Sequence, residues 1–215
     1  MTEIKNSPWI NQINLAVKQH HHLKKHDVLC LPQTTFRNLY VIQRGILKTF
    51  QVDAEGNEVI RGFYFNGEVF GFDAIYTRHY LFSAVALSET VLCEIPYDNF
   101  LDLLHSNPIL QKHMLHLISQ QLSMGSYLFS ITAEQRLAAF LIDLSTRLHP
   151  PEMQLSFLLP MSRQDMGNYL RLTAETISRL LSQFKKNKII TVDHKKIKFI
   201  QPEKLKLIAG MRSNP

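Results

Sequence analysis

Between Leu39 and Ile95 the chain breaks into short β-rich runs separated by turn chemistry, and this constrains the fold more than any other feature. The runs are LYVIQ, ILKTFQV, EVIRGFYF, EVFGF, YLFSAVAL and TVLCEI, parted at Arg44-Gly45, DAEGN and Asn66-Gly67. No stretch among them is long enough for a crossover helix, so the strands must be antiparallel and close into a sandwich or barrel-like roll rather than βαβ units. Gly45, Gly56 and Gly67 supply the positive φ that such turns require.

After Pro96 the period changes. Pro108 opens a helix predicted to run to about residue 131, on which Met114, Leu117, Gln121, Met124, Leu128 and Ile131 form one stripe. Leu115, Ile118 and Leu122 form a second. A helix with two apolar faces packs on two things, its own domain and, most simply, the same helix of a second subunit. We assign the seam of that homodimer to the stripe from Met114 to Ile131, with Gln121 as a register device. A further helix begins at Thr132, whose hydroxyl caps it with Gln135 at the capping-box position, and Pro150-Pro151 stop it after His149. The expected division is residues 1–131, a roll with its dimer helix, and residues 132–215.

Charge separates the two parts further. Residues 150–215 hold 12 Lys and Arg against 5 Asp and Glu, while residues 1–149 hold 12 against 13. A basic C-terminal segment attracts polyanions, nucleic acid first among them. Cys30 and Cys93, the only cysteines, are too few for a disulfide framework. With no signal-peptide pattern and no apolar run near the roughly 18 residues a membrane helix needs, the expectation is a cytoplasmic protein off the membrane.

Residues 160–186, PMSRQDMGNYLRLTAETISRLLSQFKK, carry two short helical patterns joined by a tight turn. Ser162 caps the first, with Asp165 favouring its positive end; Met166, Tyr169 and Leu170 face inward. Thr173 caps the second, whose buried stripe is Ile177, Leu180, Leu181 and Phe184. Ala174, Glu175, Ser178 and Arg179 are left facing outward. This is a helix-turn-helix layout, and its second helix enters a major groove N-terminal end first. A carboxylate accepts from cytosine N4 and a guanidinium donates twice to guanine O6 and N7, so Glu175, Ser178 and Arg179 are the candidate base readers. IITV and IKFI, either side of a turn at Asp193 to Lys196, read as a two-stranded wing. Its Lys195, Lys196 and Lys198 suit phosphates, as do Ser162, Arg163, Arg171, Thr173 and Thr176 around the two helix starts. Taken alone, Glu175 and Arg179 read as an exposed i, i+4 ion pair worth about 0.3–0.5 kcal/mol, and the charge split, the caps and the wing together favour base reading. Arg171 occupies a turn position that favours glycine.

The stretches GFDAI, CEIP, EQRLAAFLIDLS, MGNYL and LTAETISRLL resemble the CRP/FNR transcription regulators, and their FNR branch in particular, over nearly the whole chain from about Asn14. The resemblance implies an α+β protein: an antiparallel, jelly-roll-like roll of the cyclic-nucleotide-binding type, a long dimerisation helix and a C-terminal winged helix-turn-helix. It also implies a homodimer on double-stranded DNA, with exposed loops meeting RNA polymerase. Glu175, Ser178 and Arg179 match the family's base-reading positions, and Ala174, where the catabolite-activator branch has arginine, implies a TTGAT half-site.

Two departures bear on cofactors. FNR holds an iron-sulfur cluster through N-terminal cysteines and one cysteine in the roll, and such clusters generally take four thiolates. Here Cys93 matches the roll cysteine, Cys30 matches an apolar strand position, and no cysteine precedes Cys30. Catabolite activator grips cyclic AMP with a Gly-Glu pair and an Arg-Ser pair, at positions held here by Gly71-Phe72 and Phe82-Ser83. Without the phosphate-pairing arginine, cyclic AMP loses a charge-assisted partner. The expectation is therefore a regulator with no cofactor.

Other signals carry less. His20, His21, His22 and His26, or His113 and His116, lack a convergent ligand set for a metal, and haem on one of them is the residual alternative. No nucleophile elbow, phosphate loop or pair of catalytic acids suggests an enzyme. The competing reading is a sensor module that binds a small molecule or haem and whose winged helix contacts RNA or protein.

Overall fold

The N-terminal strands form two four-stranded antiparallel sheets, whose central strands are buried at consecutive positions, so that both of their faces are covered. The computed structural model describes residues 16–123, 132–148 and 153–211, and the chain divides into two compact units, residues 1–123 and 124–215. Residues 124–131, between that division and Thr132, lie outside the described residues.

In the first unit the strands are β1 (Gln19–Leu23), β2 (Val28–Cys30), β3 (Asn38–Arg44), β4 (Leu47–Val52), β5 (Glu58–Tyr64), β6 (Val69–Phe70), β7 (Ser83–Ala86) and β8 (Thr90–Pro96). One sheet has the order β1-β8-β3-β6 and the other β2-β7-β4-β5. Helix α1 (Ala74–Thr77) lies between β6 and β7, and α2 (Tyr97–Ser106) and α3 (Pro108–Ser123) follow β8. Leu39, Ile42 and Leu92 from one sheet and Leu47, Ala84 and Ala86 from the other share a single core. Gly45 shows why the β3–β4 turn needs glycine twice over. Its φ is +97°, and a Cβ there would stand 2.4 Å from Thr90 Oγ1.

Every β-rich run expected between Leu39 and Ile95 contains a strand, but β1 was not read from the sequence, and β2 only through the strand position that the resemblance gives Cys30. β1 is Gln-His-His-His-Leu, a polar edge strand whose character hides its period. Its register on β8 sets His20 opposite Cys93 and His21 opposite Leu92.

The second unit is built on α4 (Ala133–Arg147). Thr132 and Gln135 form the expected capping box, Gln135 N–H donating to Thr132 Oγ1 at 3.1 Å and Thr132 N–H to Gln135 Oε1 at 3.2 Å. Leu137, Phe140, Leu141 and Leu144 are buried, and Phe140 packs 5.7 Å from the ring of Tyr169. The remaining elements are β9 (Ser156–Leu158), α5 (Arg163–Leu170), α6 (Ala174–Lys186), β10 (Ile190–Asp193), β11 (Lys196–Phe199) and α7 (Pro202–Ile208), which packs on α4. The wing has three strands, in the order β10-β11-β9, not the two expected. β9 is three residues long, too short to show alternation, and is held by Phe157 edge-on to Phe199 at 5.5 Å.

Candidate nucleic-acid interface

Two capped helices and a glycine build the candidate surface. Ser162 Oγ accepts from Asp165 N–H at 2.9 Å, and Asp165 Oδ2 accepts from Ser162 N–H at 3.2 Å, so α5 starts with the reciprocal cap its sequence implied. Gly167 is buried where the chain returns toward α6. A Cβ there would meet the Leu172 carbonyl oxygen at 2.7 Å, so only glycine admits this close approach. Arg171 ends α5 in the left-handed region, with φ 55° and ψ 48°. A non-glycine residue costs about 1 kcal/mol there.

Thr173 Oγ1 then accepts from Thr176 N–H at 3.1 Å and starts α6. Ile177, Leu180, Leu181 and Phe184 are buried, as their spacing demands. Glu175 and Arg179 are exposed and Ser178 is half-buried on the opposite side. The Glu175 carboxylate accepts from its own backbone N–H and from Thr173, which holds it below the usual carboxylate range and keeps it an acceptor. Arg163, at the start of α5, does not stand alone. Its Nη1 donates to Ser178 Oγ at 3.0 Å, a contact between residues fifteen positions apart that no local spacing rule exposes.

Lys195, Lys196 and Lys198 are exposed on the wing. Lys185 of α6 donates to the Val192 carbonyl of β10 at 3.3 Å, tying the helix to the wing. Thus one unit brings together the three candidate base readers, the two caps and the wing lysines.

The first unit carries the expectations about sensing and pairing. Cys30 and Cys93 are both buried, on strands of different sheets, and burial pushes their thiols up to about 12 and about 11. Cys93 Sγ lies 3.6 Å from His20 Nδ1, and His21 Nε2 meets Glu94 Oε2 at 2.5 Å. Among the described residues no three His, Cys, Asp or Glu side chains gather as a metal site. Desolvation, and then the neighbouring His116, hold His113 below the ordinary imidazole value. Phe72 packs toward Phe100 at 6.3 Å, and Phe82 lies under the Arg61 guanidinium at 5.1 Å.

The seam assigned to α3 needs correction. Met114 is 3% exposed and joins Leu110 in the roll's own core, and Leu117 packs against the same cluster. The outward apolar face is instead Leu115 at 69%, Ile118 at 36% and Leu122 at 82% exposed. Periodicity found both stripes, but which one the roll covers depends on where the roll sits. The side chain of Gln121, and Met124, Leu128 and Ile131, fall outside the described residues.

Comparison with known proteins matches this architecture. A cyclic nucleotide-binding domain model matches residues 20–107 and a Crp-like helix-turn-helix domain model residues 135–208. The chain is 35% identical to the fumarate nitrate reduction regulatory protein of Klebsiella oxytoca over 97% of its own length and 86% of that protein's. It is 36% identical to the fumarate and nitrate reduction regulatory protein of Vibrio cholerae, over 96% and 84%. The solved structure of FixK2 from Bradyrhizobium japonicum shares the fold with a TM-score of 0.78 at 22% identity, covering 92% of this chain and 98% of that one. Among the described residues no helix is long and apolar enough to cross a membrane. With a β-roll, a helix-turn-helix with its wing, and these two relatives alike over nearly the whole chain, the protein belongs to the CRP/FNR family of DNA-binding transcription regulators, in its FNR-like branch.

Proposed function

We propose that this regulator acts in the cytoplasm as a homodimer that reads an inverted repeat of TTGAT-like half-sites, and that it does so without an iron-sulfur cluster or cyclic AMP. One observation carries the reading of sequence: Glu175, Ser178 and Arg179 share the solvent face of a helix whose opposite face is wholly buried, beside a lysine-bearing wing. Arg179 donates to guanine O6 and N7, Glu175 accepts from cytosine N4, and Ser178 with the Ala174 methyl meets the flanking thymines. Lys195, Lys196 and Lys198, with Ser162, Arg171, Thr173 and Thr176, bind phosphates and set register.

Two-fold symmetry spaces the recognition helices about one turn of DNA, roughly 34 Å, apart. The exposed Leu115, Ile118 and Leu122 supply the first part of the pairing face. Exposed loops contact RNA polymerase, as the family resemblance implies.

The residues present do not fit either family cofactor. A four-thiolate cluster meets two cysteines, both buried and both with raised thiol values. At the cyclic-nucleotide positions the acidic and basic partners are replaced by Phe72 and Phe82.

Selection from random duplexes tests the central claim. The expected product is a TTGAT-like inverted repeat, with Arg179→Ala costing about 1–3 kcal/mol per half-site at one base pair. Lys195→Ala or Lys196→Ala should weaken all duplexes alike and reduce the salt slope by about one. Selection of structured RNA, or of no consensus, contradicts the proposal.

A further inference from the structure

We infer that Arg163 is a positioning residue for base reading, which orients the Ser178 hydroxyl so that it donates to an acceptor on the base edge. The inference rests on the reading of α6 as the base-reading helix, and assigns to Arg163 a task other than the phosphate contact its place at a helix start suggests.

The chemistry comes from what each group can do. A guanidinium has donors and no acceptor, so the 3.0 Å contact from Arg163 Nη1 to Ser178 Oγ runs one way. One lone pair of the hydroxyl is therefore committed to a cation. The serine proton must point away from the guanidinium, and accepting from a charged donor polarises the O–H into a better donor. A serine within a helix otherwise tends to turn back onto the carbonyl one turn earlier. Ser182, one turn further along the same face, does this, its Oγ donating to the Ser178 carbonyl at 2.9 Å. Two serines of one helix thus have different fates, and the difference is Arg163.

An oriented donor beside a positive charge discriminates between bases. Thymine O4 and guanine O6 and N7 are acceptors; adenine N6 and cytosine N4 are donors that would face the guanidinium's own field. The hydroxyl is also ordered before DNA arrives, which lowers the cost of ordering it on binding.

The test is equilibrium binding of the full-length protein to the selected duplex and to a panel changing each base pair in turn. Wild type, Arg163→Lys, Arg163→Ala, Ser178→Ala and the double Arg163→Ala/Ser178→Ala variant are compared. Arg163→Ala should relax preference at a single base pair by about 3- to 10-fold, the size of one hydrogen bond. It should be the same pair that Ser178→Ala relaxes, and the double variant should lose no more there than either single one. Arg163→Lys should keep the salt slope but lose that preference. A uniform loss on top of this selective one is compatible with the inference. A uniform loss alone, restored by lysine and additive with Ser178→Ala, overturns it. If wild type itself shows no preference at any base pair, the failure lies in the reading of α6 and is distinguishable from a failure of Arg163.

Discussion

Helices α3 and α6 are both amphipathic, yet only α6 presents the face its pattern assigned to it. Helix α6 has one apolar stripe, Ile177, Leu180, Leu181 and Phe184, all buried, and everything opposite it meets solvent. Helix α3 has two. Leu110 and Met114 go inside, while Leu115 and Leu122 are left out. A single stripe settles its own orientation, because only one rotation about the helix axis removes the apolar surface from water. Two stripes leave two rotations of nearly equal merit, and the partner decides.

The largest break in this comparison comes from the single-stripe helix. Phe184→Ala should cost about 3–5 kcal/mol in chemical denaturation, since the ring has no alternative cover. DNA binding should fall with it. A loss under about 1 kcal/mol would mean that the α6 stripe is not the core of its unit.

For the two-stripe helix the expected results divide by face. Met114→Ala should destabilise the roll by about 2–5 kcal/mol, whereas Leu115→Ala should stay within about 0.5 kcal/mol. Leu115→Glu with Leu122→Glu should leave thermal stability at low concentration unchanged and shift sedimentation toward monomer. If Met114→Glu dissociates a dimer while the Leu115 and Leu122 pair does not, the assignment of faces is reversed.

A smaller effect tests the caps that both sequence and structure assign. Thr132→Ala should cost about 1 kcal/mol by removing the acceptor for the Gln135 N–H. Retained stability would show that α4 starts elsewhere.

The smallest effect concerns two carboxyls near helix starts in the two units. Glu175 is exposed and held below its usual range, by its own backbone N–H first and Thr173 second. Asp73, before α1, is raised by burial, and its Oδ1 has no hydrogen-bond partner among the described residues. The native state therefore binds the Asp73 proton more tightly than the unfolded chain does. Its contribution is present below the unfolded value of about 4 and is lost as pH rises through the folded one. Asp73→Asn should gain stability relative to wild type as pH rises above about 4, measured as the difference in Tm at each pH. A difference that does not change with pH would place Asp73 in water.

Much of the second unit was legible because its determinants are local. The caps at Thr132, Ser162 and Thr173, the single stripe of α6 and the turn at Arg171 each lie within a few residues of the structure they create. The roll was legible as a set of strands for the same reason, with turn residues marking each end. Other features depended on partners far along the chain. β1 is a strand because β8 accepts a polar edge beside it, and β9 is one because Phe199 gives Phe157 something to cover.

Sequence alone determined the strands β3 to β8, the helices α3 to α6, the hairpin of β10 and β11, the caps, the basic bias of the second unit and the candidate reading residues, since these depend on spacing and side-chain chemistry within a turn or two. Tertiary structure alone decided which stripe of α3 is core, that the wing has a third strand, and that Arg163 holds Ser178. The physical reason is common to all three: burial and a hydrogen bond between distant residues are properties of pairs of surfaces, and a linear pattern describes only one surface of each pair.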